Sequence, residues 1–282
     1  MPSRPAFTTH PYFDVDVPTV IGHRGTAGTL PENTLEGFAA ALEAGAQILE
    51  SDVHVTRDGV PVLLHDPSVS RVTEGSGDVA ALDWAEVAAL DAGHHFDGAE
   101  DETPADPAGH RGQGFAIPSL EAAFERFPEA RFNLEVKCHD VGAMRTTLDL
   151  IARFERADRT LLAAGEDPIM RDLRRELAAH PATPAMGASV GEIVTAVSSA
   201  LGQGEMPPGV MALQIPAEFG GNRLATPALV DHAHAHGVVV HVWTINDLAE
   251  IERLLDIGVD GIVTDHPARM TGWLRDAGRR SA

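Results

Sequence analysis

Thr19-Val20-Ile21-Gly22, the run Thr34–Glu43 and the run Gln47–Val55 form the stretch whose reading decides the fold. The first is a short apolar segment and reads as a strand. The second places Leu35, Phe38, Ala39 and Leu42 at helical spacing. Asn33 or Thr34 can cap it, Glu36 sits in its first turn and Gly45 stands where a C′ glycine belongs. The third is a second strand. Strand, helix and strand in immediate succession predict a parallel pair joined by a helical crossover.

The same alternation continues outward. Val60–Leu64 is a short strand after the Asp58-Gly59 turn, and Trp84–Leu90 reads as helical. Asp91–Gly114 is rich in Gly, Pro, Asp, Glu and His, has no periodicity and reads as a long surface excursion. Helices are then predicted at Leu120–Phe127, Val141–Arg156, Ile169–Ala179, Val190–Ala200, Pro227–His236, Leu248–Ile257 and Pro267–Ala277. Strands are predicted between them at Arg131–Lys137, Thr160–Ala164, Pro184–Ala188, Val210–Ile215, Val238–Trp243 and Gly261–Thr264. Eight main strands, each followed by a helix, predict a single-domain (β/α)8 TIM barrel with an inserted loop segment after the second strand. The expected organisation is an N-terminal extension (1–18), the barrel (19–273, with 91–114 inserted) and a C-terminal tail (274–282). An open doubly wound sheet is the alternative, but Gly22-His23-Arg24-Gly25 lacks the GxGxxG pattern of a dinucleotide fold.

Composition excludes several functions. Against 21 Lys+Arg stand 42 Asp+Glu, a formal net charge of −21. That surplus has the wrong sign for a nucleic-acid binder or for docking on an anionic membrane. The single Cys138 excludes an intramolecular disulfide framework and a multi-thiolate zinc site. Met1–Val17 has no apolar core of a signal peptide, and no run reaches the roughly 20 apolar residues of a membrane span, so no stable membrane insertion is expected. A cytoplasmic protein is the expectation, and nothing indicates an oligomer.

Catalytic groups of such barrels sit at the C-terminal strand ends. His23 and Arg24 end the first strand, Glu50 and Asp52 lie on the second, and His65 and Asp66 follow the short one. Glu135 and Lys137 end the third barrel strand, Trp243 the seventh, and Thr264 and Asp265 the eighth. Residues two apart on a strand share a face, so Glu50 pairs with Asp52 and Glu135 with Lys137. Three carboxylates converging on one mouth repel unless protons or a cation intervene, and hard oxygen donors select Mg²⁺ or Ca²⁺. The competing reading pairs each carboxylate with Lys137 or Arg24. The metal site is favoured because uncompensated buried carboxylates are costly. His23 and His65 titrate in the range suited to proton transfer, while Arg24 and Lys137 supply fixed charge for phosphate oxygens. Together these groups describe a phosphate-ester site. His54 is expected behind the site or against substrate. His232, His234 and His236 read as a solvated helix face, and His94 and His95 as exposed.

Several motifs in order resemble one family, the glycerophosphodiester phosphodiesterases. They are Ile21-Gly22-His23-Arg24-Gly25, Pro31-Glu32-Asn33-Thr34, the run from Glu50 to Gly59, His65-Asp66, Leu134-Glu135-Val136-Lys137, Val242–Asn246 and Gly258–Pro267. The resemblance runs from about Val20 to Met270. It implies a (β/α)8 barrel that hydrolyses a small-molecule glycerophosphodiester to glycerol 3-phosphate and an alcohol. By the same resemblance Glu50, Asp52 and Glu135 bind one divalent cation, Ca²⁺ or Mg²⁺, and His23 and His65 act as general base and general acid. Arg24 and Lys137 hold the phosphate, Glu32 stands close to Arg24, and Trp243 offers an apolar wall to the glycerol carbons. The attacking oxygen is that of water or of the substrate's own glycerol hydroxyl, the latter giving a cyclic intermediate. Members often carry Ser-Phe at the end of strand four, where this chain has Ala163-Ala164-Gly165-Glu166, so the pocket is expected to differ there. Two other readings share these residues: a phospholipase D-like enzyme acting on lysophospholipids or sphingolipids, and a non-catalytic barrel that binds phosphodiesters.

Overall fold

The computed structural model describes residues 10–96 and 109–279. Its strands are β1 (Thr19–Gly22), β2 (Ile48–Val55), β3 (Pro61–Leu63), β4 (Arg131–Val136), β5 (Thr160–Ala163), β6 (Ala185–Met186), β7 (Ala212–Pro216), β8 (Glu218–Phe219), β9 (Asn222–Arg223), β10 (Val239–Trp243) and β11 (Gly261–Thr264). Its helices are α1 (Leu35–Glu43), α2 (Trp84–Val87), α3 (Leu120–Arg126), α4 (Val141–Arg153), α5 (Asp167–Ala178), α6 (Val190–Ala200), α7 (Pro227–Ala235), α8 (Leu248–Asp256) and α9 (Pro267–Asp276).

Eight of the strands form one parallel sheet in the order β6-β5-β4-β2-β1-β11-β10-β7. Its two ends meet where the Met211 amide donates to the Met186 carbonyl at 2.9 Å, so the sheet curls into a nearly closed barrel. The chain is a single-domain TIM barrel, as the strand count predicts. Six of these nine helices begin where a side chain satisfies one of the first free amides: Thr34, Ser119, Asp140, Ser189, Thr226 and Asp247 all do so. Of the two capping candidates for α1, Thr34 takes the role, its Oγ1 accepting from the Gly37 amide at 3.1 Å.

Three features depart from the predicted elements. The hairpin β8–β9 follows β7 at the barrel mouth and has no apolar period to announce it, since all four of its residues are exposed. The helix expected over Trp84–Leu90 ends at Val87. Of the excursion at 91–114, residues 97–108 lie outside the described residues. Its flanks are not simply surface: the Ala92 amide donates to the Phe115 carbonyl at 2.9 Å, and Ala92, Phe115 and Ile117 pack with Val62, Leu64, Val69, Val79 and Val87 in a separate apolar cluster. His94 is accordingly half-buried with its ring edge-on to His95, which is exposed. Among the described residues no helix is long and apolar enough to cross a membrane.

The N-terminal end of the barrel is filled from outside the sheet. Tyr12 and Phe13, in a 3-10 turn at 11–13, pack edge to face at 5.0 Å between ring centres. They join Ile21, Ile48, Leu161, Ala212, Val239 and Val263 in one buried cluster. These barrel residues are mostly small or aliphatic, so the two rings supply the volume that close packing requires. Within the stretch read as an extension, Pro11–Phe13 thus serves as a core element. Phe13→Ala should lower unfolding stability by about 3 kcal/mol or more in urea titrations, the usual cost of deleting a buried ring. A loss below about 1 kcal/mol would mean the plug contributes little to the core.

Candidate active site

The barrel register builds the site. In the β2–β4 pair Glu50 stands opposite Asn133 and Asp52 opposite Glu135, so these side chains share the inner face at neighbouring heights. After β1 the chain turns sharply, with Arg24 at φ 47° and Gly25 at φ 90°. Only glycine fits at position 25, because a Cβ there would stand 2.8 Å from the Gly37 carbonyl carbon. The turn aims the Arg24 amide at Glu50 Oε2, 3.1 Å away. Asn33, also left-handed at φ 55°, donates its amide to the Arg24 carbonyl at 2.9 Å, and its Oδ1 accepts from Ser51 at 2.6 Å. Non-glycine residues held in this region are strained, and here the strain lies at the barrel mouth. The antiparallel β2–β3 hairpin folds His65 back beside Asp52, whose carbonyl accepts from the Leu64 amide at 3.0 Å.

His23, Arg24, Glu50, Asp52, His65, Glu135, Lys137 and Trp243 all line one cleft of about 250 Å³. Glu32 stands behind Arg24, accepting from its Nη1 at 2.9 Å. The structure therefore gathers every predicted site residue around a single mouth. Trp243 ends β10 with 45% of its surface exposed, an indole wall at the rim.

Both histidines are backed by a carboxylate. His23 Nδ1 bonds Asp265 Oδ1 at 2.6 Å, and Asp265 Oδ2 accepts from Asn246 Nδ2 at 2.7 Å. Burial pushes the His23 pKa down, but the Asp265 bond and the nearby Glu50 charge outweigh it and raise it above the usual imidazole value. His65 Nδ1 bonds Asp66 Oδ1 at 2.7 Å. With Nδ1 engaged in each, Nε2 is the nitrogen left for chemistry. His23 Nε2 lies 4.0 Å from Glu50 Oε2.

The carboxylates and cations are interleaved. Lys137 Nζ sits 2.8 Å from Glu135 Oε2 and 3.2 Å from Asp52 Oδ1. Burial would lower its pKa, but Asp52 and Glu135 raise it, so it stays charged. Glu135 Oε1 also accepts from the Gly165 amide at 3.2 Å. Burial first, then the Asp52 charge, lifts the Glu50 pKa well above the usual carboxylate range. Among the described residues no three His, Cys, Asp or Glu side chains are gathered as a metal-ligand set, and Lys137 stands between Asp52 and Glu135. The donor set nonetheless fits a hard divalent cation. Buried Asp52 Oδ2 has no hydrogen-bond partner and is 3.7 Å from Arg24 Nε, which has none either. Three acids around an unsatisfied carboxylate oxygen, one of them held toward its neutral form, are chemistry that a dication would relieve.

Other histidines find different places. His54 is buried and its Nε2 bonds the His65 carbonyl at 3.1 Å, which sets it behind the site. The face carrying His232, His234 and His236 is not simply solvated. His232 bonds Ser199 at 2.9 Å and His234 bonds the buried Asp260 at 2.9 Å, leaving only His236 exposed. The sequence alone assigns no orienting role to Asp66, Asp265 or Asn246. Asp66 is adjacent to His65 and could have been suspected. Asp265 reaches His23 only because β1 and β11 pair, with the His23 amide on the Thr264 carbonyl at 3.0 Å.

Comparison with known proteins identifies the family. A family model described as the glycerophosphoryl diester phosphodiesterase family matches residues 23–269. A glycerophosphodiester phosphodiesterase of Caldanaerobacter subterraneus is 31% identical over 268 residues, covering 92% of this chain and 98% of that protein. A human lysophospholipase D is 26% identical, covering 91% and 86%. The structure of an Oleispira antarctica phosphodiesterase in complex with the product sn-glycerol-3-phosphate superposes with TM-score 0.73 at 25% identity, over 92% of this chain and 97% of that one. With a family match that begins at His23 and runs past Asp265, this chain belongs to the glycerophosphoryl diester phosphodiesterase family and is a hydrolase of phosphodiesters.

Proposed function

We propose that this enzyme hydrolyses glycerophosphodiesters to sn-glycerol 3-phosphate and an alcohol, with His23 as general base and His65 as general acid. The observation that carries this reading is the pair of carboxylate-backed imidazoles lining one cleft with Arg24 and Lys137. His23, its basicity raised by Asp265, takes the proton of the attacking oxygen as that oxygen bonds phosphorus. His65 delivers a proton to the leaving alcohol oxygen as its bond to phosphorus breaks. Arg24 and Lys137 face the non-bridging oxygens, prearranged by Glu32, Asp52 and Glu135 so that little reorganisation is needed. Glu50, Asp52 and Glu135 would hold a divalent cation, Ca²⁺ or Mg²⁺, which when bound supplies further positive charge against the phosphate. Trp243 packs against the glycerol carbons. Membership of a hydrolase family sets aside the non-catalytic barrel.

One observation favours a second substrate class. Val190, 57% exposed, and Trp243, 45% exposed, stand at the rim of the same cleft, as an acyl chain would require. A human relative bears the name lysophospholipase D. Choline release from lysophosphatidylcholine, compared with that from glycerophosphocholine, separates the two readings; faster release from the lysolipid would displace the proposed substrate class.

Purified enzyme should release glycerol 3-phosphate from glycerophosphocholine or glycerophosphoethanolamine, and no release from any diester under any metal would overturn the reading. His23→Ala and His65→Ala should each lose about 10²- to 10⁴-fold in turnover while melting like the parent. If His65 is the acid, His65→Ala should lose far less on a p-nitrophenyl ester, whose leaving group needs no proton. Equal losses on both substrates would remove that role. Treatment with EDTA should abolish turnover and added Mg²⁺ or Ca²⁺ restore it, whereas full activity after chelation would exclude the cation.

A further inference from the structure

Arg71 lies outside the cleft, yet its guanidinium holds two carboxylates that each hold a group of the site. Nη1 donates to Glu32 Oε2 at 2.9 Å and Nη2 to Glu32 Oε1 at 2.7 Å, a bidentate fork. Nε donates to Asp66 Oδ2 at 2.5 Å. Glu32 in turn accepts from Arg24 Nη1, and Asp66 Oδ1 bonds His65 Nδ1. A continuous chain therefore runs Arg24–Glu32–Arg71–Asp66–His65, joining residues 39 apart in sequence at the Arg71–Glu32 step. Burial alone would raise the Glu32 pKa, but the Arg71 fork and Arg24 hold it below the usual range, so it stays an anion between two cations.

The seat of Arg71 is rigid. It ends a 3-10 turn at 69–71 whose first residue, Val69, is fully buried. The Thr73 amide and hydroxyl both donate to the Val69 carbonyl, at 3.1 and 2.8 Å, and the Val69 amide donates to Gly77 at 3.1 Å. An exposed ion pair contributes little as a rule. Arg71 differs because its planar fork imposes direction as well as charge, and because the Asp66 oxygen it holds accepts no other hydrogen bond among the described residues.

We infer that Arg71 is a positioning residue of the reaction. It aims Asp66 Oδ1 at His65 Nδ1 and, with the same guanidinium, braces Glu32 behind Arg24. Proton donor and phosphate clamp thereby keep one relative geometry. Without Arg71 the half-exposed Asp66 side chain turns to solvent and His65 loses its orientation. The inference rests on the reading of His65 as general acid. It concerns the transition state more than ground-state binding, so its loss falls on kcat.

The test joins kinetics to a signal independent of turnover. Arg71→Met should lower kcat about ten- to a hundredfold, the scale set by small misplacements of a catalytic group. Its KM should change less than about threefold, because the groups that contact substrate remain. Arg71→Lys keeps the charge but cannot grip both carboxylates, and should recover only part of the turnover; it carries the test if Arg71→Met does not fold. The double variant Asp66→Asn/Arg71→Met should lose no more than the worse single variant, since Arg71 acts on His65 only through Asp66 and its brace on Glu32 is already lost in Arg71→Met. In ¹⁵N-histidine-labelled protein, recorded at a pH where the His65 ring is neutral and with its signals identified by their loss in His65→Gln, the ring nitrogens should mark an Nδ1–H tautomer in the parent and move toward the tautomer average in Arg71→Met. Unchanged His65 signals, or losses that multiply in the double variant, would overturn the inference. Absence of turnover by the parent on every diester would instead overturn the function, and the nitrogen signals would still decide the role of Arg71.

Discussion

Burial of acidic groups in one barrel mouth is the constraint around which the rest of this structure is arranged. The β2–β4 register sets Glu50 and Asp52 beside Asn133 and Glu135 on a common inner face. Three carboxylates this close, in a region of low dielectric, repel strongly unless countercharge is held among them. The chain answers with Lys137 between Asp52 and Glu135, the Arg24 guanidinium 3.7 Å from Asp52 and the Arg24 amide on Glu50. The strained turn at Arg24 and Gly25 serves the same need, because it aims the Arg24 amide at Glu50.

The formal charge of −21 therefore describes the exterior and not the site. An acidic protein can take an anionic diester when its positive charge is concentrated where the phosphate sits. Here Arg24 and Lys137 are that concentration, and both are oriented by the acids around them. Salt bridges of this kind are poor evidence for stability. Their value is geometric: they fix cations that would otherwise be mobile and make them ready for a charge that forms only during reaction. The two histidines follow one plan, each anchored at Nδ1 by a carboxylate that is itself anchored, Asp265 by Asn246 and Asp66 by Arg71.

Some of this was legible in the residues themselves. Alternating strand and helix patterns depend on local periodicity, and the eight barrel strands lie close to their predicted positions. The pairing of Glu50 with Asp52, and of Glu135 with Lys137, follows from the two-residue repeat of any strand. Other parts were not legible because they depend on contacts remote in sequence. Tyr12 and Phe13 give no sign in their own neighbourhood that they fill a barrel by packing against residues of seven of its strands. Arg156 is similar. It is fully buried, donates to the carbonyls of Phe127, Pro128 and Ala130 and stacks on Phe124, whereas an arginine in a polar stretch reads as solvated. The hairpin β8–β9 has no apolar face and so no pattern.

The sequence by itself determined the barrel, the chemical inventory of its mouth and the strands that carry each group, because all three follow from short-range periodicity and from residue chemistry. Tertiary structure alone decided which atoms meet. It set Asp265 on His23 across 242 residues, Lys137 between Asp52 and Glu135, and Arg71 between Glu32 and Asp66. The physical reason is that hydrogen bonds and ion pairs act over a few ångströms. Only the register of paired strands and the path of the loops brings their partners within that range.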